Sequence, residues 1–222
     1  KNATTPTGYS ASNSRRIGGF HYGRTRPASE RYNAAYTCPV EIIPNSVWDL
    51  EHRPTCDPAG MVEIIPGQSW LDIYLSSEDG TVWPGTVPLS EYNTVPLTGS
   101  EGYNVYYDQI RLARNAGKRI PTPDEWLAAA YGTPQGATNA GGRVSTGQHS
   151  DYGFDCVSSL NIDQPSGNVY QTVSNIYDRS TASNWSDDGS LNTGKDGSFD
   201  HGEWYGGEIR VWRVGAVWSD TS

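Results

Sequence analysis

A chain of 222 residues has room for one large domain, or for a domain with a small extension. Hydrophobic residues make up only 35 %, but 8 Trp and 14 Tyr supply large buried area per residue, while 25 Gly and 14 Pro argue for many turns and against a helical bundle. The net charge of −9 argues against a nucleic-acid partner, because nothing here would neutralise phosphates, and no run of about 18 apolar residues exists to form a transmembrane helix. The first ten residues, KNATTPTGYS, are polar and lack the apolar core of a signal peptide. The chain begins at Lys1 without an initiator methionine, as a fragment or a processed product would.

Residues 1–45 contain no helical pattern. Short apolar stretches such as Arg16-Ile17-Gly18-Gly19-Phe20-His21-Tyr22 and Val40-Glu41-Ile42-Ile43 read as strands separated by Pro, Ser and Gly. They read as the end of a β-rich unit or a linking arm. The texture changes near residue 46. Ser46-Val47-Trp48-Asp49-Leu50 alternates as a half-buried strand does, and Met61-Val62-Glu63-Ile64-Ile65 follows it. In Trp70-Leu71-Asp72-Ile73-Tyr74-Leu75 the period predicts Leu71, Ile73 and Leu75 on a core face, with Trp70, Asp72 and Tyr74 on the other. Pro66-Gly67 marks the turn between these two runs.

Two helices are predicted next. Over residues 103–115, Tyr103, Tyr106, Tyr107, Ile110 and Ala113 recur at spacings of three and four and predict an apolar stripe. Gly117 sits where a left-handed cap is wanted. The second helix opens at Thr122, an N-cap followed by Pro123 at the first helical position and by Glu125, which completes a capping box. Trp126, Ala129 and Ala130 are its expected buried face, and Gly132 its end. Residues 133–166 read as loop, residues 180–202 as a long Asn/Ser/Asp/Gly tract, and residues 208–218 as strand. Two helices between a β-rich front and a loop-rich back give an α+β class.

Three cysteines, Cys38, Cys56 and Cys156, cannot form a full disulfide framework. A Cys38–Cys56 bridge would close a loop of about 20 residues, worth roughly 3 kcal/mol; three packed thiols is the preferred reading. None of His21, His52, His149 and His201 is paired at a metal-ligand or triad spacing, and His21 reads as structural. Asp187, Asp188, Asn192, Asp196, Asp200 and Glu203 form an oxygen-rich tract of the kind that suits calcium, but His201 stands where an EF-hand needs Gly. A solvated loop without a cofactor is expected there. Trp204 and Tyr205, in a polar Gly-rich stretch, are candidates for exposed contacts.

The segment Gly117-Lys118-Arg119-Ile120-Pro121-Thr122-Pro123-Asp124-Glu125-Trp126 resembles the "GKRLPTxxEW" signature of the formylglycine-generating-enzyme branch of the C-type lectin fold. Gly167-Asn168-Val169-Tyr170-Gln171-Thr172-Val173 resembles its "GNVWEW" signature, with Tyr170 and Thr172 in place of the two tryptophans. A closer resemblance covers most of the chain. Pro6-Thr7-Gly8-Tyr9, Arg16 to Tyr22, Val47-Trp48-Asp49-Leu50, Arg53-Pro54, Asp57-Pro58-Ala59-Gly60-Met61 and Trp70 to Leu75 resemble, in order and spacing, the bacteriophage major tropism determinants. These are receptor-binding tail-fibre proteins diversified by retroelements.

The resemblance implies a C-type lectin domain over residues 46–222, truncated before its final strands and preceded by the end of a β-rich domain over residues 1–45. It implies a homotrimer at the tail-fibre tip of a virion, bound to other tail-fibre proteins and to a protein or glycan receptor on the host cell, without membrane insertion. Gly215-Ala216-Val217-Trp218-Ser219-Asp220-Thr221-Ser222 matches the start of the family's variable segment. Val217, Ser219 and Thr221 match its variable positions, and in a strand they share one face. The alternative functions are a formylglycine-generating type of sulfatase-modifying enzyme and a structural decoration module of the virion. The enzyme branch works through cysteines near its chain end, and Cys38, Cys56 and Cys156 match none of them. Arg119 and Glu125 are therefore expected to cap and pack rather than catalyse.

Overall fold

Four short strands make a bent ribbon: β1 (Gly18–Gly19), β2 (Tyr22–Arg24), β3 (Val40–Ile42) and β4 (Trp48–Asp49), with β1 antiparallel to β4 and β2 antiparallel to β3. A hairpin of β5 (Met61–Ile65) and β6 (Ser69–Asp72) follows, closed by the expected turn at Pro66-Gly67, and then a small pair, β7 (Ser77–Glu78) and β8 (Pro88–Leu89). Helix α1 spans Tyr106–Asn115 and α2 spans Pro123–Ala130. β9 (Gln171–Tyr177), β10 (Ser186–Asp187), β11 (Glu203–Trp204) and β12 (Arg210–Val214) complete an α+β architecture in which β9 pairs with β12 and β10 with β11. The computed structural model describes residues 7–10, 12–98, 105–177, 186–187, 203–204 and 210–215.

The core gathers Ile43 from the ribbon, Val62 and Ile64 from β5, Ile73 and Tyr74 from the chain after β6, Ala129 from α2 and Ile162 from the long connection. Full burial of Ile43, Val62 or Ile73 contributes about 1.5–3 kcal/mol each. A second cluster, Val144, Tyr152 and Cys156 with Phe154 against it, lies within the connection itself.

Three expectations change here. The alternation predicted over residues 70–75 does not appear in the burial: Trp70, Leu71 and Asp72 are all partly buried, and Ile73, Tyr74 and Leu75 are all buried. Ile73 donates its N–H to Gly60 O at 2.9 Å and accepts from the Asp163 N–H at 2.8 Å, so chain packs on both sides of it. Tyr74 is covered by His21, whose Nε2 stands 3.1 Å from its hydroxyl oxygen. The predicted stripe of α1 is also rotated. Leu112 is the buried residue, while Tyr107 is 79 % exposed; Tyr103 lies outside the described residues. On α2, Ala129 and Glu125 are buried, whereas Trp126 and Ala130 are only partly so.

Residues 133–166 are the loop the sequence indicates. They have little regular structure, but they are not a surface loop. Thr138, Thr146, His149, Ser158, Asp163 and Gln164 are buried polar residues held by hydrogen bonds rather than by apolar contact. Arg26 is the anchor on the ribbon side. Its guanidinium is buried and donates to four carbonyls: from Nε to Val157 at 2.7 Å, from Nη1 to Glu30 at 2.8 Å and Asn33 at 2.9 Å, and from Nη2 to Asp155 at 2.7 Å. Arg24 Nε pairs with Asp155 Oδ1 at 3.0 Å, and Asn45 Nδ2 donates to Glu63 O and Leu160 O. These bonds cross the sequence boundary expected near residue 46. All three cysteines are free thiols.

Candidate functional site

The α2 N-terminus is held by a dense set of hydrogen bonds. Thr122 Oγ1 accepts from the Glu125 N–H at 3.2 Å, and Glu125 Oε2 accepts from the Thr122 N–H at 2.9 Å, the reciprocal cap read from the sequence. Glu125 also takes both Nη groups of Arg119, at 2.7 and 2.5 Å, and the Ser69 hydroxyl at 2.6 Å. The Arg119 hydrogen bonds are the main cause that brings the Glu125 pKa down to about 2; desolvation opposes them, and Ser69 and the Thr122 N–H assist. A carboxylate that is ionised and bonded on every side has no proton to donate to a substrate. Arg119 and Glu125 form a strut.

From this strut the frame runs into the last sheet. The Ser174 N–H donates to Pro121 O at 2.8 Å. Trp126 Nε1 donates to Gln171 Oε1 at 3.2 Å, and Gln171 Nε2 donates to Pro165 O at 2.8 Å. β9 and β12 pair from Gln171 opposite Val214 to Tyr177 opposite Arg210, with an irregularity between Val211 and Arg213. The Asn168 side chain closes the neighbouring turn by pairing with Val144, accepting its N–H and donating to its carbonyl, both at 3.0 Å. The Gly167 N–H then donates to Gly215 O at 2.6 Å. Gly215 has φ +91°, and a Cβ there would stand 2.8 Å from Pro165 O and 3.0 Å from Gln171 Nε2, so the position admits only glycine without strain. The two signature segments thus meet, and the backbone leaving β12 is gripped from both sides.

Comparison with known proteins agrees with this frame. A family model described as the Mtd second domain matches residues 1–49. The tail fiber receptor-binding protein of Bordetella phage BPP-1 is 30 % identical over 158 residues, which is 65 % of this chain and 41 % of that protein. The solved Major Tropism Determinant U1 variant superposes with a TM-score of 0.68 at 25 % identity, covering 98 % of this chain and 59 % of its own. The P3c variant superposes with a TM-score of 0.67 at 26 % identity, covering 100 % and 60 %. The chain has the C-type lectin fold of the major tropism determinants. It spans about two fifths of the curated relative's length and about three fifths of the solved tropism determinants'.

In this tropism-determinant frame, Val217, Ser219, Thr221 and Tyr205 lie outside the described residues. Trp204 belongs to β11, where its backbone stands opposite Ser186. Most of the oxygen-rich tract also lies outside, apart from Asp187 and Glu203, whose backbones pair with each other. Among the described residues no group of three His, Cys, Asp or Glu side chains comes together as a metal site would require.

One constellation was invisible in the sequence. His149 and Asp163 are buried together, with Nε2 to Oδ2 at 2.9 Å, and the Cys156 N–H donates to His149 Nδ1 at 2.9 Å. That bond leaves the ring hydrogen on Nε2, pointing at Asp163. It is the Cys156 backbone, not its sulfur, that meets the histidine; Sγ donates to Ser166 O at 3.4 Å. Burial, and then the Asp163 charge, push the Cys156 thiol upward, and burial takes Cys38 to about 11. Thiols held protonated in this way are not nucleophiles. A cavity of about 320 Å³ opens between α1, α2 and β6 with Asp72, Lys118 and Trp126 in its lining. Lys118 Nζ stands 2.5 Å from Asp72 Oδ1, so these two charges offset each other.

Proposed function

We propose that this chain is the attachment end of a phage tail fibre, a receptor-binding protein that works by adhesion to a host cell-surface protein or glycan and not by catalysis. The observation that carries this reading is the match over 98 % of the chain to a tropism determinant, supported by the receptor-binding tail-fibre protein among its relatives. The grip on Gly215 supports it in a second way, because side chains presented beyond a fixed point can change without moving the frame. On this reading Val217, Ser219 and Thr221 are the exchangeable contacts, and Trp204 and Tyr205 are further contacts. Residues 1–45 finish a β-domain, residues from 46 onward form the lectin domain, and the end of the first is bonded into the second through Arg26, Ile43 and Asn45. Three copies associate at the fibre tip of the virion, beside other tail-fibre proteins, so that weak single contacts add up to useful avidity. Neither calcium nor another cofactor takes part.

The test is adsorption. Host cells preincubated with the purified protein are expected to adsorb the phage that encodes it more slowly, in proportion to the protein added. An adsorption rate unchanged at saturating protein would overturn the proposal.

A further inference from the structure

Helix α1 turns three faces to different surroundings. Leu112 is its buried residue. On a second face Asn115 reaches Pro84 O and Thr86 O, and Arg111, one turn earlier, lies over the Trp83 ring at 5.8 Å. The third face carries Tyr106, Ile110 and Arg114, spaced by four residues and so aligned along the helix. These three line a groove of about 280 Å³, completed by Arg119, Ile120 and Thr122 of the signature segment and by Ser174 of β9.

The lining holds two guanidiniums and no carboxylate. Arg119 is balanced by Glu125, although its side chain is 63 % exposed. Arg114 has no such balance. Arg16 and Arg24 each meet a carboxylate and Arg26 is spent on carbonyls, but among the described residues nothing accepts from the Arg114 guanidinium. The larger cavity described above shares Arg119 and Ile120 with this groove and is bordered by Arg213, which stands opposite Thr172 on β12 and has no ion pair among the described residues either. Two uncompensated positive charges thus adjoin on a chain whose net charge is −9.

The rest of the lining narrows the class of anion. A guanidinium grips a carboxylate through two parallel N–H donors. An acidic protein side chain would need only that. Here the charge stands beside Tyr106, Ile110 and Ile120, which offer apolar surface to the face of a sugar ring, and beside two hydroxyls that suit the ring's own. Thr122 Oγ1 accepts from the Glu125 N–H and still has its hydrogen to donate. The groove lies at the lower end of the range of small-molecule sites, about 300–1,000 Å³, which suits a single sugar residue.

We propose that this groove binds one carboxylate-bearing sugar residue, Arg114 taking the acid, Arg213 adding positive potential from the adjoining cavity, and the ring packing on Tyr106 and Ile110. The inference rests on the adhesion reading given above and adds to it a fixed contact, apart from the exchangeable positions, for an anionic glycan of the host surface.

Ligand-observed NMR on the purified chain tests this, with trigalacturonate as the probe and its methyl ester as the uncharged counterpart. The acid is expected to bind, and the ester to bind about ten-fold more weakly or less. Arg114→Gln should weaken binding of the acid by a similar factor, and Arg213→Gln by a smaller one, with unchanged melting curves. Arg111→Gln removes the same charge from the same helix, but beside Trp83, and should leave the affinity as it was. No binding of trigalacturonate, equal binding of acid and ester, or equal losses from Arg111→Gln and Arg114→Gln would overturn the proposal. A triglutamate peptide bound as tightly as the acid would overturn the assignment to a sugar. Each of these failures leaves the adsorption experiment to decide adhesion by itself.

Discussion

Glu125 accepts from Ser69, from the Thr122 N–H and from both Nη groups of Arg119. The same atoms that make it look catalytic in a signature segment make it a structural ion. Its folded pKa near 2 lies below the value of about 4.3 for an unfolded glutamate. The group therefore stabilises the fold fully above about pH 4.3, and the contribution disappears as pH falls toward 2. Glu125→Gln is expected to cost about 1–3 kcal/mol at pH 7. Melting curves between pH 7 and pH 2 should show the variant losing less stability on acidification than the unaltered chain; parallel losses would reject the role. This residue was legible in the sequence because its partners at Thr122 and Arg119 are local. The His149–Asp163 pair was not, since both stand in a polar stretch and only the folded backbone brings them together.

At the scale of elements, helix ends were more legible than helix faces. α1 ends as the sequence indicates: the Gly117 N–H donates to Arg114 O and the Lys118 N–H to Ala113 O, both at 2.9 Å, with Gly117 at φ +69°. Gly117→Ala places a side chain in that left-handed position and should cost about 1 kcal/mol, read as a lower melting temperature with unchanged helix content. The cap depends on chemistry within a few residues, so periodic reading finds it. The face depends on what lies opposite. Asn115 Nδ2 donates to Pro84 O and Thr86 O, tethering α1 to a loop that no 3.6-residue period can anticipate. The same holds for Trp126, which is only partly buried and whose indole N–H reaches Gln171 on β9.

For the whole molecule, the consequence of Arg26, Ile43 and Asn45 is that residues 21–46 belong physically to the body that follows them. Removing residues 1–15 should leave cooperative unfolding intact. Removing residues 1–46 takes away the four-carbonyl anchor and a fully buried isoleucine, a loss of more than about 5 kcal/mol, comparable with the whole stability of many domains. Calorimetry of the two truncations checks this; a sharp transition in the shorter one would reject it. The sequence marked a change of texture at residue 46, and hydropathy does change there. What it could not display was an arginine reaching carbonyls more than a hundred positions away. The α+β class, both helices, the hairpin and the family resemblance were readable because they rest on local patterns.

The polar interior of residues 133–168 carries one more consequence. When Thr138, Thr146, Asn161, Gln164 and Asn168 meet water on melting, it is amide and hydroxyl surface that becomes hydrated, and such surface lowers the heat capacity of unfolding where hydrocarbon raises it. The increment for this molecule should fall below the usual 12–15 cal/mol/K or so per residue. Its stability curve would then be shallow, leaving the molecule nearly as firm in the cold as in the warmth.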